Sequence, residues 1–591
     1  MKLYKISFAL LLGMSLLTSC GDKLELSNPN LQTTGSFGNT TDDLEECVIA
    51  CYHNLRMEGT YARVGYAHDA MRGDEVWNCT QRWFLAMDNL NAPATDDVSC
   101  SWIWRDWYQV LNISNYVISR LEKESLTDQE KRIKGQALFT RALSFYNLAC
   151  YYQNPGIILD YETYSTLEGL YVSNHQEGDQ DAFAQYDRVM DQAEKDFKEA
   201  LELLPTKDLG GEWAKGRATK GSAAGFYART LMQRHKYSDA LTILKSIING
   251  EYGSYKLMAN FGDNFRETSA YENNDESLFE IQFLDYGTGG TDHEWTPVNI
   301  SKNATQGQAI ETVSCPEDNG GWHDMAASPW LYQLFKSERT KNGSLDPRLY
   351  WTIGTYESEW EGFEYGNMCY QKEMTVDNPV VTSNENGGLP IAKWTNMRTG
   401  LYSSIVVGLT GGINLRLMRY SDVLLRAAEC ENEINGPTQQ AIDWINQVRR
   451  RANLNDLKLS DFGSADKLFE QIANVERPKE FGCEFGRGFD LLRWGFFYRA
   501  DRIQQLKEHG TYRLTADKTK VKDPVSYSAT TSDKFTKSSF DTFVPGHEYL
   551  PIYQNNLNVN PNLAGNSANN NSDNSTYFTK NGWTIHPVVD L

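Results

Sequence analysis

The sequence predicts a mainly α-helical protein, in which about four helix pairs form a scaffold and a loop-rich insertion carries short β-hairpins. Apolar residues recur at three- and four-residue steps on both sides of the middle of the chain, which is the periodicity of amphipathic helices. Between these parts, short β-like runs alternate with Gly-, Asn- and Trp-rich stretches. We therefore expect a single domain over residues 42–591, with its helical scaffold at about 42–275 and 413–500, the insertion at 276–412 and an irregular C-terminal segment at 501–591.

The first 20 residues have the pattern of a bacterial lipoprotein signal. Lys2 and Lys5 precede a short apolar run that ends in Leu17-Thr18-Ser19-Cys20. Because this run is shorter than the roughly 20 residues that span a bilayer, it predicts a signal peptide over residues 1–19 that is removed. Cys20 is then the predicted lipid attachment site, and residues 20–41, rich in Asn, Ser, Thr and Gly, are a flexible tether. The alternative is an ordinary secretory signal with Cys20 as the first mature residue.

Helical periodicity begins near Asp42, where Leu44, Val48, Cys51 and Leu55 recur on one face. A second amphipathic stretch runs from Trp104 to Leu121. Residues 59–101 have irregular patterning and several tryptophans, which indicates loops and short elements lying over the helical scaffold.

The helices that follow have a repeat-like spacing. Ala193-x3-Phe197-x2-Ala200-x4-Pro205 matches the second helix of a tetratricopeptide unit, in which small residues let two antiparallel helices approach closely. Further pairs are predicted around turns at His235-Lys236 and Gly436-Pro437, and a further helix runs through residues 137–148. Because the spacings are imperfect, a non-repeating helical bundle remains the alternative.

Composition limits the function classes. A net charge of -21 and a pI near 5.0 argue against nucleic acid and anionic lipid as partners, which leaves neutral ligands or proteins. Apart from Cys20, nine cysteines show no CxxC pair and no zinc-ligand spacing, so we expect buried thiols, no metal site and no cofactor.

No catalytic constellation is recognisable in the sequence. There is no nucleophile elbow, P-loop or dinucleotide-binding fingerprint. With 78 acidic residues, close carboxylate pairs such as Glu357 and Glu359 arise by chance and do not indicate glycoside hydrolysis. The alternating charges between Glu476 and Arg493 predict ion pairs on a solvated helix face. We therefore predict a protein that is not an enzyme and has no catalytic residues.

Loop aromatics beside polar groups are the strongest candidates for a binding site. Flat rings can cover the C–H face of a sugar, while carboxylates, amides and guanidinium groups bond its hydroxyls. The candidates lie in three loop-like stretches, and they are Asp74, Trp77, Asn78, Arg82, Trp83, Tyr286, Trp295, Trp322 and Asp324. The alternative for each ring is ordinary loop packing. Exposed rings at Trp77, Trp83 and Trp322 would favour sugar binding, whereas buried rings would favour a scaffold. By contrast, Trp104, Trp107, Trp444 and Trp494 follow helical periodicity and are predicted to be core.

The order of short motifs along the chain is more specific than any one of them. Behind the lipobox come Gly135-Gln-Ala-Leu-Phe-Thr-Arg-Ala142, Leu203-Leu204-Pro205, Gly216-Arg-Ala-Thr-Lys-Gly221, Arg419-Tyr-Ser-Asp422, Glu476-Arg477, Gly488-Phe-Asp-Leu491 and Arg493-Trp494-Gly495. This order resembles the SusD/RagB family, the outer-membrane nutrient-binding lipoproteins of Bacteroidetes, over nearly the whole chain. The chain departs from the family pattern where Pro551-Ile552 is followed by Tyr553 and where Asn560-Pro561 leads into an Asn- and Ser-rich tail.

The resemblance implies a function as well as a fold. It implies four tetratricopeptide-like helix pairs at the cell surface, a lipid anchor in the outer membrane, and an oligosaccharide ligand held on the loop-rich side. It also implies a partner, a SusC-like TonB-dependent transporter into which the captured glycan is delivered. The rival hypothesis is a lipid-anchored tetratricopeptide-like scaffold that binds a peptide or protein. Which glycan and linkage are bound, and whether calcium assists, stay open at this point.

Overall fold

The computed structural model describes residues 38–78, 82–159, 182–266, 271–283, 307–370, 372–380, 388–398, 411–516, 525–529, 543–560 and 575–591, with a few single residues between them. Within these ranges the α-helices, in chain order, are α1 Thr41–Asn54, α2 Val64–Met71, α3 Arg82–Asp88, α4 Ile103–Arg120, α5 Asp128–Tyr152, α6 Ala182–Leu203, α7 Lys220–Gln233, α8 Tyr237–Ile248, α9 Ile310–Ser314, α10 Pro329–Lys336, α11 Pro347–Thr352, α12 Tyr420–Asn435, α13 Gln439–Arg451, α14 Ala465–Gln471, α15 Arg477–Phe481, α16 Arg487–Arg493, α17 Ala500–His509, α18 Gln554–Val559 and α19 Ser575–Asn581.

Eight of these helices form a continuous stack, α1, α4, α5, α6, α7, α8, α12 and α13, in which each helix packs against the next. They make the four helix pairs that the sequence predicts, including the pairs that turn at His235-Lys236 and at Gly436-Pro437. Polar caps define where several of them begin: the hydroxyl oxygen of Thr219 accepts from the Ser222 amide and that of Thr438 accepts from the Ala441 amide. The mainly α fold is confirmed.

Small residues let the stacked helices approach closely. Ala142, Ala193, Ala200, Ala228 and Ala240 are all fully buried. The space between the backbones is filled by interlocking rings such as Phe139, whose centroid lies 5.7 Å from that of Phe197 and 5.6 Å from that of Phe226. The predicted alanine spacing therefore reflects real helix–helix contacts.

The strands form four two-stranded antiparallel ladders, in which β1 Val76–Asn78 pairs with β3 Met325–Ala327, β2 Ser277–Ile281 with β6 Leu415–Arg419, β4 Met368–Cys369 with β5 Lys372–Glu373, and β7 Tyr512–Ala516 with β8 Val525–Ala529. The β4–β5 ladder is a short hairpin of the kind predicted for the insertion. The β2–β6 ladder is different, because it joins the two ends of the insertion and anchors them to the scaffold.

The charged residues between Glu476 and Arg493 do form ion pairs, but the expectation of a solvated face is wrong. Arg477, Asp490 and Arg493 are at most 6% exposed. Arg493 binds Glu429 on α12, and Arg477 binds both Asp490 and Asp422, so the pairs lie between helices rather than on a surface. Each buried guanidinium is neutralised by a carboxylate from another helix, which makes these contacts dependent on the correct packing of the scaffold.

The end of the chain packs against the scaffold. Tyr577 stacks on Phe183 with ring centroids 3.7 Å apart, and Trp583 stacks on His235 at 4.2 Å. Helix α19 and the residues after it therefore cover the loop between α7 and α8. Among the described helices, none is both long and apolar enough to cross a bilayer.

The cysteines of the described residues are free thiols in buried positions, as the sequence predicts. Cys51 is fully buried, and its Sγ lies 3.5 Å from the Ser114 hydroxyl. Trp107, Trp444 and Trp494 are buried, in agreement with their helical periodicity, and Trp104 is partly buried.

Candidate functional site

The pairing of β1 with β3 brings together two segments that the sequence analysis singled out separately. Trp77 lies opposite Ala326 and Asn78 lies opposite Met325, so the stretch from Asp74 to Asn78 runs beside the loop that ends at Asp324. The amide of Ser328 also donates to the Glu75 carbonyl at 2.8 Å and extends this contact. We refer to the two segments, residues 74–78 and 320–324, as the candidate ligand face.

The loop that carries Trp322 is held rigidly by backbone hydrogen bonds. The amide of Trp322 donates to the Thr312 carbonyl at 2.9 Å, and the next amide donates to the Cys315 carbonyl at 2.9 Å. A Cβ at Gly321 would lie 2.1 Å from the Cys315 carbonyl oxygen, so the loop can close only around a glycine. Trp322 is partly exposed, with the Arg63 guanidinium 5.9 Å from its ring centroid.

The residues that follow Trp322 face inward. Asp324 is 1% exposed, and His323 is fully buried. Burial lowers the pKa of His323 to about 4, so its imidazole is neutral at physiological pH. Asp324 is therefore a buried member of the candidate ligand face, and a ligand contact at Asp324 stays a prediction.

Trp77 is also a buried ring in this conformation. It is 4% exposed, and the guanidinium carbon of Arg513 lies 5.1 Å from its ring centroid. Arg513 is held there by its Nη1, which donates to the carbonyls of Gly510 and Tyr512 at 2.8 and 2.7 Å. The start of the β7–β8 hairpin thus covers the ring that the sequence offered as a stacking platform.

Asp74 is buried in a network of charges. Its carboxylate receives two hydrogen bonds from Arg487, at 2.8 and 3.0 Å, and lies 2.7 Å from Nδ1 of His509. Burial opposes ionisation, but Arg487 and His509 outweigh it and hold the pKa of Asp74 well below its usual value. In this conformation the Asp74 carboxylate is bonded to Arg487 and His509. A ligand contact at Asp74 or Trp77 stays a prediction.

The other predicted site residues are not placed by the described structure. Asn78 and Arg82 are described in their backbone only, as is Trp83 at the start of α3, while Tyr286 and Trp295 lie outside the described residues. Cys20, the predicted lipid attachment site, also lies outside them. Their roles stay predictions from the sequence.

A cleft of about 300 Å³ opens beside Arg72, two positions before Asp74 in the chain, and sequence reasoning missed it. One wall is α3 with the residues after it, and the other is the segment 547–557. The residues that line it include Arg72, Ala86, Met87, Leu90, His547 and Ile552. The Arg72 Nη2 donates to the His547 carbonyl at 3.0 Å, and the Gln554 amide donates to the Ala94 carbonyl at 2.8 Å, which fixes the two walls relative to each other. No local motif marks the cleft, because its walls are separated by 475 residues at the Arg72–His547 contact.

Comparison with known proteins agrees with the resemblance seen in the motifs. A family model described as the SusD family matches residues 275–569, and a second model, described as starch-binding and associating with the outer membrane, matches residues 24–232. SusD-like protein P25 of Formosa agariphila is 23% identical over 589 residues, which cover 94% of this chain and 96% of that protein. SusD-like protein P2 of the same organism is 25% identical over 509 residues, which cover 83% of this chain and 91% of that protein.

Solved structures share the fold at low sequence identity. A SusD superfamily protein from Bacteroides vulgatus superposes with a TM-score of 0.66 at 22% identity, covering 89% of this chain and 98% of that one. Surface glycan-binding protein A from Bacteroides thetaiotaomicron, solved in complex with laminarihexaose, gives a TM-score of 0.62 at 20% identity, with coverage of 89% and 98%. The two family models, the four stacked helix pairs and the ordered motifs lead to one conclusion: this chain belongs to the SusD/RagB family.

Proposed function

We propose that this protein is a surface-exposed lipoprotein of the outer membrane that captures an oligosaccharide and delivers it to a SusC-like TonB-dependent transporter. Family membership supports this function, since one of the two matching models describes starch binding and outer-membrane association. A structural neighbour with the same fold was solved with laminarihexaose. The predicted lipid at Cys20 would supply the anchor.

The structural observation that carries the proposal is the position of Trp322. Trp322 is partly exposed and also packs against the hydrophobic core, in a loop that Gly321 and two backbone hydrogen bonds hold in place. A pre-positioned aromatic face can cover the apolar side of a sugar at little cost in conformational entropy. Trp322 is therefore the first residue to which we assign ligand contact.

Binding without turnover is part of the proposal. Glu357 accepts hydrogen bonds from the Tyr332 hydroxyl at 2.6 Å and from Lys336 at 3.2 Å, while Glu359 binds Arg339 at 2.8 Å. The two carboxylates, whose closeness in the sequence was expected to arise by chance, thus each form an ion pair with a neighbouring cation. Incubation with a glycan that the protein binds should leave the chain length of that glycan unchanged.

The experiment that tests the proposal is a glycan array probed with the chain lacking residues 1–20. Saturable binding to a set of related oligosaccharides, weakened in a Trp322→Ala variant, would support it. Failure to bind any glycan would reject it. The transporter is tested separately, by purifying the full-length lipoprotein from outer membranes and identifying an associated TonB-dependent barrel.

The burial of Trp77 favours a second candidate function. A ring that packs under Arg513 is typical of a scaffold, and the stacked helix pairs could bind a peptide or protein instead of a sugar. A negative glycan array, together with a saturable protein ligand whose binding survives Trp322→Ala, would favour this alternative.

A further inference from the structure

Arg72 is a buried cation that has no carboxylate partner among the residues that the structure describes. The residue is 7% exposed, and within the described part of the chain it forms no salt bridge. Its hydrogen bonds are one to the His547 carbonyl at 3.0 Å and a long contact of 3.5 Å to the ring of His68. A guanidinium has five N–H donors, so most of its donor capacity is unused.

Several other buried arginines in the described part of the chain have carboxylate partners. Arg487 is paired with Asp74 and Arg348 with Asp346. Arg398 also has no carboxylate partner within the described ranges, but it donates to the carbonyls of Tyr350, Ile353 and Met368 and lies over the ring of Tyr350. Arg72 differs from Arg398 in one more respect, because it lines the 300 Å³ cleft.

The positive charge of Arg72 is available to a bound anion. Burial lowers the pKa of Arg72 to about 10, so the group stays protonated at neutral pH. The negative charges of Glu548 and Asp69 oppose this effect of burial. Both have other partners, since Glu548 accepts from the Gly546 amide at 2.6 Å and Asp69 accepts from the amides of Gly486 and Phe489.

The cleft offers both polar and apolar walls. Met87, Leu90 and Ile552 supply apolar surface, and His547 lines the same cleft with an Nδ1 atom that is buried and has no hydrogen-bond partner among the described residues. Its volume of about 300 Å³ lies at the lower end of the range for small-molecule sites. A ligand that suits it has a compact body with one apolar side and a negatively charged group.

We propose that this cleft binds the carboxylate of an acidic sugar, a uronic acid unit of a glycan, with Arg72 as the residue that recognises it. A planar guanidinium fork matches a planar carboxylate with two parallel hydrogen bonds, which a tetrahedral sulfate matches less closely. The apolar wall covers the C–H side of the sugar ring. The inference rests on the proposed function in one respect, namely that the ligand is a sugar. The structure around Arg72 adds that one unit of this sugar carries a negative charge.

The net charge of -21 is the main argument against an anionic ligand, and it led the sequence analysis to expect neutral ones. Charges more than about 10 Å away are largely screened at 0.1 M salt, so remote surface carboxylates contribute little to affinity there. A buried guanidinium interacts through a lower dielectric and is screened less. Once the ligand has entered the cleft, Arg72 therefore acts on its carboxylate more strongly than the remote surface charges do, and Glu548 and Asp69 are the carboxylates that compete locally.

The test is calorimetric titration of the chain lacking residues 1–20 with sodium glucuronate, sodium galacturonate and the neutral sugars glucose and galactose. We expect saturable binding of a uronate, and binding weaker by about 10- to 100-fold for the matching neutral sugar. Equal affinity for the neutral sugar, or absence of uronate binding, would overturn the inference. Because the neutral glycans of the array test the proposed function by themselves, the two hypotheses can fail separately.

Two variants locate the site. Arg72→Gln should reduce uronate affinity by about 10-fold or more, and Ala86→Trp should block the cleft without changing Arg72. Leu85→Trp is the matched control, because Leu85 is on the same helix but is exposed and does not line the cleft. If Arg72→Gln does not fold, the comparison of uronate affinity between Ala86→Trp and Leu85→Trp still tests whether the cleft is the binding site. Uronate binding that survives Ala86→Trp, or binding of a sulfated monosaccharide in preference to a uronate, would contradict the assignment.

Discussion

Arg487 binds Asp74 through two parallel hydrogen bonds, although the two residues are 413 positions apart in the chain. Nη1 of the same guanidinium donates to the Ala473 carbonyl at 2.7 Å, and its Nη2 also donates to the Asn474 side chain at 3.1 Å. A residue from the candidate ligand face thus fixes the start of α16, where the family motif from Gly488 to Leu491 begins. Ligand face and scaffold are held together by this pair.

Loss of Asp74 should therefore destabilise the protein. Asp74→Ala leaves a buried guanidinium without its carboxylate, which typically costs about 3–5 kcal/mol in free energy of unfolding. Asp456→Ala is the matched control, because it breaks an exposed pair with Arg450 and should cost about 0.2–1 kcal/mol. Urea denaturation of both variants measures the difference, and equal costs would show that the buried pair is not structural.

The two described candidate tryptophans should respond differently to truncation. Trp322→Ala should weaken glycan binding by about 30-fold, the equivalent of about 2 kcal/mol at an aromatic anchor, and should cost less stability than Trp77→Ala because Trp322 is only partly buried. Trp77→Ala removes a buried ring and should cost about 3–5 kcal/mol of stability. Affinity and thermal unfolding measured on both variants test this assignment, and the reverse pattern would place the sugar at Trp77.

Glu75 should make stability depend on pH. Burial raises the pKa of Glu75 to about 8, against the attraction of Arg487. A carboxyl whose pKa is higher in the folded state loses stability as the pH rises from its unfolded pKa to its folded one, here from about 4.5 to about 8, by at most about 1.4 kcal/mol per pH unit. Glu75→Gln cannot ionise, so its stability relative to the parent should increase between about pH 5 and about pH 8.

Urea titrations of Glu75→Gln and the parent at these two pH values measure the effect. Glu122→Gln, at an exposed position, serves as the control and should change stability by less than about 0.5 kcal/mol. A difference between Glu75→Gln and the parent that does not change with pH would show that Glu75 is ionised throughout.

His586 should make docking of the C-terminal segment weaken as the pH rises above about 6.5. Its two ring nitrogens lie 2.7 Å from Asp466 and 2.8 Å from Glu433, and these carboxylates raise the pKa of His586 although burial opposes them. The stabilisation is complete below the unfolded pKa of about 6.5 and is lost as the pH rises through the higher folded value. His586→Gln should thus cost more stability at about pH 6 than at about pH 9. Hydrogen exchange of residues 575–591 measures the docking, and an equal loss at both pH values would contradict the prediction.

Cys20→Ser should release the protein from the membrane. The prediction depends on the lipobox that ends at Cys20 and on the two lysines before the apolar run. Fractionation in cells without the partner transporter, followed by a high-salt wash, measures the anchor by itself. Continued sedimentation of the variant with outer membranes would show that the anchor lies elsewhere.

Local patterns in the sequence were sufficient for the helical scaffold. The alanines at positions 193, 200, 228 and 240 recur on the faces along which helices meet, and turn residues such as Gly436-Pro437 mark where pairs reverse. Helix formation and helix pairing depend on neighbours a few positions away, so their signal is local. The order of family motifs is equally readable from the sequence.

Contacts between distant segments were decided by the tertiary structure alone. The exposure of Trp77 depends on Arg513, and that of Asp74 on Arg487, each more than 400 residues away. The charged run at 476–493 reads as a solvated face until α12 supplies Glu429 to Arg493. Likewise, the cleft at Arg72 exists only because the segment 547–557 packs beside α3. The sequence by itself determined the fold and the family, because both depend on local patterns. The tertiary structure decided which candidate residues reach the surface, because the burial of a side chain depends on the segments that the fold packs against it.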